Sequence, residues 1–183
     1  MYPRTPPLAL TALALVACQG TPVDGEALSL VYGERVYASG DIDPADEQDV
    51  AGLEYTRPAA GYQFELGFLT SAADEDLGGG RFEVSSLEAY GGLRHLFGHS
   101  GDPFRPYLAA GVSALRVERD SPIDADDEDE LDVGLYLRLG AYAPLGDSLR
   151  LGLDLRWFTE EPFTFGDVDT RHRQVGLTLG FGF

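Results

Sequence analysis

Gln174-Val-Gly-Leu-Thr-Leu-Gly-Phe-Gly-Phe183 is the stretch on which the fold turns. Its odd positions are Val175, Leu177, Leu179, Phe181 and Phe183; its even positions are Gln174, Gly176, Thr178, Gly180 and Gly182. Bulky apolar residues alternate with small or polar ones, a period of two that belongs to a β-strand with one apolar face. The segment before it repeats the pattern. Leu149, Leu151, Leu153, Leu155 and Trp157 face one way, and Arg150, Gly152, Asp154 and Arg156 the other. Leu131, Val133, Leu135, Leu137 and Leu139 likewise alternate with Asp132, Gly134, Tyr136, Arg138 and Gly140.

Further toward the N-terminus the same period continues through Tyr62–Phe68, Leu87–Arg94 and Tyr107–Ala114, with a bulge expected near Leu115. Shorter runs surround Leu28–Gly33 and Leu53–Tyr55. Eight strands are predicted, near 27–38, 49–57, 61–70, 81–97, 104–118, 131–143, 148–158 and 171–183. Their connections also alternate. Short turns fall at 58–61, 98–103 and 144–147, and longer acidic loops at 39–47, 71–80, 119–130 and 159–170. Short turns at one end and long loops at the other are the layout of an up-and-down transmembrane barrel.

Charge decides which face looks inward. The chain carries 31 Asp+Glu against 13 Lys+Arg, a net −18, and all 13 cations are Arg. Such an acidic chain has no basic surface to displace phosphate counterions, which argues against nucleic acid as a partner. On the polar strand face the balance is different. Arg35, Arg94, Arg138, Arg150 and Arg156 stand against Glu54, Glu65, Glu88, Asp132 and Asp154, five of each sign. Balanced opposite charges suit a closed interior in which each ion needs a partner. The excess negative charge lies mainly in the loops. A soluble, lipocalin-like barrel would instead place the Leu rows inside and the charges outside. That alternative would be a lipid-anchored periplasmic barrel binding an apolar ligand. Rows reading Leu, Leu, Leu, Leu, Trp favour the membrane form, because exposed in water they would make a large apolar patch. Tyr55, Tyr62, Phe68, Phe104, Trp157, Phe181 and Phe183 fall near predicted strand ends, as interfacial aromatic girdles do.

The N-terminus reads as an address. An apolar run of nine, Leu8 to Val16, is too short for a membrane helix and fits a signal-peptide core. It ends in Leu15-Val16-Ala17-Cys18, which resembles a bacterial lipobox, and Cys18 is the only cysteine of the chain. The expected organisation is a lipoprotein-type signal over 1–17, a tether over 18–26 and the barrel over 27–183. Lipidation is expected at Cys18, and Gln19 after it resembles the residues that direct lipoproteins to the outer membrane.

The eight-strand count, Pro106-Tyr-Leu-Ala-Ala-Gly-Val112, Tyr90-Gly-Gly-Leu93 and the terminal Gly180-Phe-Gly-Phe183 resemble the small outer-membrane β-barrel superfamily. That group includes the OmpA membrane domain, OmpX and the opacity-type proteins. The resemblance implies outer-membrane lipids and the barrel-assembly machinery as partners, with Phe183 as the assembly signal. It also implies one enzymatic alternative, acyl chemistry on lipid A. The adjacent pair here is His99-Ser100, with Asp102 close by in a short turn, where the three cannot easily align as nucleophile, base and orienter. Asp124-Ala-Asp-Asp-Glu-Asp-Glu130 has Asp129 where an EF-hand loop needs Gly, so loose screening by divalent cations is expected there rather than a site. Eight strands enclose only enough room for side chains, so no diffusive pore is expected. The expected whole is a cofactor-free, non-enzymatic barrel with acidic external loops.

Overall fold

The computed structural model describes residues 25–38, 46–76, 81–120, 128–159 and 170–183. The segment 1–24, with the expected signal and Cys18, lies outside the described residues, as do residues 121–127 of the acidic loop.

Eight antiparallel strands follow one another around a closed barrel. They are β1 (Ala27–Tyr37), β2 (Glu47–Ala59), β3 (Tyr62–Asp76), β4 (Arg81–Leu96), β5 (Arg105–Asp120), β6 (Glu128–Leu145), β7 (Leu149–Thr159) and β8 (His172–Gly182). The seam joins β8 to β1 from Ala27↔Gly182 to Tyr37↔His172. Over the length that all eight strands share, closure leaves no edge, so the ladder satisfies its own backbone N–H and C=O groups, the condition for crossing lipid with strands. At one end the connections are tight. Between Ala59 and Tyr62 only Ala60 and Gly61 intervene, both at positive φ (47° and 90°), the hairpin geometry that follows the right-handed twist of its strands.

The pleat sorts the side chains as the alternation requires. Leu151, Leu153 and Leu155 are 47%, 54% and 40% exposed on the outside of the wall, and Leu135, Leu137, Leu139, Val175, Leu177 and Leu179 share that face. All ten charged residues expected on the polar face are buried in the lumen. The lipocalin-like arrangement, with an apolar inside, is therefore not the one adopted.

Strand lengths are unequal. β1, β7 and β8 have 11 residues, while β3 to β6 have 15, 16, 16 and 18. The pairing of β6 with β7 stops at Leu135↔Thr159 and that of β2 with β3 at Asp49↔Ala72. Above those levels β3–β6 rise as a four-stranded wall at the long-loop end. The extra four to seven residues add roughly 13–23 Å at about 3.3 Å each.

Two expectations need correction. No bulge interrupts β5: Leu115 sits in continuous register opposite Glu88 and Asp132 and points inward, fully buried. Phe68 does not mark a strand end, because β3 continues eight residues past it to Asp76. What changes at both places is polarity. In the lower barrel the inside is polar and the outside apolar. In the tall wall Val84, Leu115 and Val117 pack inward with Tyr37 and Phe158, while Asp74, Glu83, Arg116 and Glu118 face out.

Candidate functional site

The lumen concentrates the chemistry of this chain, and it is built in two charged layers. The lower layer centres on Glu54, from β2. Its carboxylate accepts from Arg94 Nη2 at 2.7 Å, from Arg138 Nη1, and from the Tyr90 hydroxyl at 3.0 Å. Arg94 turns its Nε to Glu65 at 2.8 Å, and Glu65 also accepts from the Tyr136 hydroxyl at 2.7 Å. Arg138 Nη2 donates to Asp154 at 2.7 Å. The Tyr107 ring lies 4.2 Å from the Arg94 guanidinium carbon and 5.6 Å from that of Arg138. Its π face adds cation–π attraction where water is excluded. Five charges from β2, β3, β4, β6 and β7 are thus tied across the full width of the barrel.

The upper layer centres on Glu88, which is bound by Arg35 and by Arg156 at 2.5 Å and accepts from the Ser113 hydroxyl at 2.5 Å. The guanidinium carbon of Arg156 sits 4.1 and 4.3 Å from the Tyr90 and Tyr136 rings, so these two tyrosines join the layers. Arg35 also reaches Ser86 at 3.0 Å and Gln174 at 3.3 Å, and Ser71 connects Ser86 to Gln48. His172 stacks on Phe158 at 5.0 Å and holds the Thr170 carbonyl oxygen 3.0 Å from Nδ1, with Nε2 3.8 Å from Glu88.

Two of the ten expected charges do not join either network through an ion pair. Asp132 accepts a hydrogen bond from the Thr170 hydroxyl at 2.8 Å, and its other oxygen is buried without a partner. Arg150 was expected within reach of a carboxylate. Instead its Nη2 donates to Thr56 at 2.8 Å and Ser29 at 3.1 Å, and its guanidinium lies over Tyr142. The reason is register. Arg150 sits in one cross-strand row with Gly180, Ser29 and Glu54, and Glu54 is already taken by Arg94 and Arg138. The alternation places Gln174 inside, while Gln48, Arg105, Tyr142 and His172 are not singled out by it, and all five are buried in the interior. The signal was available, since each lies an even number of residues from an inward neighbour on its own strand.

The remaining expected residues lie apart from the lumen. In the turn after β4 the Asp102 carboxylate accepts the backbone N–H of His99 at 2.7 Å, so it caps the turn rather than orienting the imidazole. At the seam the Phe183 N–H donates to the Glu26 carbonyl at 2.9 Å, and its ring stacks on Tyr55 at 6.5 Å. Among the described residues no group of three His, Cys, Asp or Glu side chains could hold a metal ion.

No protein-family model matches the chain, and no curated protein sequence does. Solved structures do match. Neisserial surface protein A is similar over 86% of this chain and 96% of its own, with 14% identity and a TM-score of 0.62. Ail of Yersinia pestis is 9% identical over 85% of this chain and 95% of its own, with a TM-score of 0.56. The N-terminal barrel domain of Pseudomonas aeruginosa OprF is 16% identical over 90% of this chain and its full length, with a TM-score of 0.53. At such identities the likeness is one of fold. A closed eight-stranded up-and-down wall with an apolar outside and a charged inside is the fold of the small outer-membrane β-barrels, and this chain has it.

Proposed function

We propose that this chain is a non-enzymatic barrel of the bacterial outer membrane with a structural or surface-interaction role. Its short turns face the periplasm and its acidic loops face outward. The observation that carries the reading is the interior. Eight of the ten charges are locked in two ion-paired layers closed by tyrosines, which leaves the lumen to hold the wall together rather than to conduct. The Leu rows outside supply the lipid contact, and Phe183 at the seam supplies the signal that assembly machinery reads in such barrels. Cys18 adds a lipid anchor to a wall that already spans.

The test is to express the full chain in a Gram-negative host, fractionate the envelope, and reconstitute the purified protein in planar bilayers. The expected result is a heat-modifiable band in the outer membrane and no steady conductance. Folded protein in the soluble periplasmic fraction overturns the location, and a reproducible open channel overturns the role. Labelling with a palmitate analogue should mark the protein and vanish in Cys18→Ala; labelling that survives the substitution removes the anchor.

A further inference from the structure

We propose that Arg150, with the hydroxyls of Ser29 and Thr56, forms a binding site for a small inorganic anion of chloride size at the short-turn end of the lumen. Every other Arg among the five expected in the interior touches a carboxylate. Arg150 is as buried as they are, at 3% exposure, and touches none. Its Nη2 is used up by Ser29 Oγ and Thr56 Oγ1, and its Nη1 is buried without an acceptor. A buried donor on a charged group carries a desolvation cost that an acceptor would remove.

The two hydroxyls set the sign of the ligand. Each accepts from Arg150 through its oxygen and so keeps its own hydrogen to donate. Nη1 and two hydroxyl hydrogens therefore stand around one guanidinium with no acceptor assigned to them, while the Tyr142 ring 5.1 Å away covers the guanidinium from the side. Donors with positive charge and no carboxylate recognise an anion. The nearest carboxylate along the row, Glu54, is held by Arg94 and Arg138 and is not free to serve.

Backbone design supports the same reading. Gly180 lies between Ser29 and Arg150 in the register. A Cβ there would meet Arg150 Nε at 2.5 Å, Arg150 Cγ at 2.7 Å and Ser29 Oγ at 2.7 Å. Only a residue without a side chain lets the guanidinium cross β8 to reach the hydroxyls of β1 and β2. The arrangement is built by three separate strands around one glycine.

Bromide serves as the probe. Crystals of the full barrel grown or soaked in sodium bromide should show an anomalous peak at hydrogen-bond distance from Arg150 Nη1, absent in Arg150→Met. In detergent at constant ionic strength, replacing gluconate by chloride at ten times its Kd should raise the folding equilibrium constant about elevenfold. The Thr56→Val and Ser29→Ala variants, which keep the Arg and lose a donor, should each reduce that gain, so the idea stays testable if Arg150→Met does not fold. No bromide peak at Arg150 overturns the proposal. So does a chloride effect of equal size in wild type and in both hydroxyl variants.

Discussion

A single carboxylate in this barrel is worth very different amounts according to its partners. Glu54 neutralises two guanidiniums in a dehydrated lumen, and Glu54→Gln leaves both facing one weaker acceptor. The expected cost is about 3–5 kcal/mol, as for any buried pair broken from one side. Asp132 has no Arg partner and one orphaned oxygen, so Asp132→Asn should cost less than about 1 kcal/mol. Urea unfolding in detergent, followed by the heat-modifiable band, separates the two; equal costs would contradict the pairing described. Gly67 gives a second residue-scale test. A Cβ there would run into the Tyr90 ring, so Gly67→Ala must displace the ring that holds Glu54 and stacks on Arg156. About 1–3 kcal/mol of destabilisation is expected from such overpacking, with Gly61→Ala unsuitable as a control because its φ is positive. The sequence placed all these charges on one face but could not pair them, because pairing across a lumen depends on which strands stand opposite. Arg150, which charge balance alone assigns to an ion pair, is the residue where that limit shows.

At the scale of the strand, the outer face has two regimes with opposite rules. In the belt, Leu137 and Leu153 face out, and an Arg at either should cost about 2–4 kcal/mol near the midplane. On the tall wall, Asp74 and Glu83 stand directly opposite each other across β3 and β4. Both are charged and exposed to solvent, so Glu83→Gln should change stability by no more than about 1 kcal/mol. Measuring both in the same unfolding assay locates the boundary between the regimes. The same boundary explains where sequence reading stopped short. Alternation was clear wherever one face was Leu-rich, in β6, β7 and β8. It fades at Asp74-Glu-Asp76 and Glu128-Asp-Glu130, where consecutive acidic residues leave no apolar–polar contrast in the sequence. At Leu115 the apolar face changes sides while the register does not, and a polarity change in unbroken pairing mimics a one-residue insertion.

For the whole molecule the seam between β8 and β1 is what closes the wall. Phe183 joins β8 to the entrance of β1 through Glu26 and lies against Tyr55 of β2. Deleting it should lower the amount of folded protein in the outer membrane more than it lowers the unfolding midpoint of what does insert, as judged by quantitative fractionation against urea titration. An equal loss in both would make the terminal aromatic a packing residue alone.

With the long-loop end facing outward, as proposed, the tall wall governs how the cell surface would be read from outside. A loop presents peptides that keep much of their shape when the chain is denatured, whereas four hydrogen-bonded strands present residues from distant parts of the sequence side by side. Glu83 and Glu118 stand on neighbouring strands there, 35 positions apart in the chain. Antibodies raised against the intact barrel and selected for this parapet should therefore recognise discontinuous epitopes. They should lose binding after boiling and regain it on refolding, while sera against the linear acidic segments remain indifferent to either treatment.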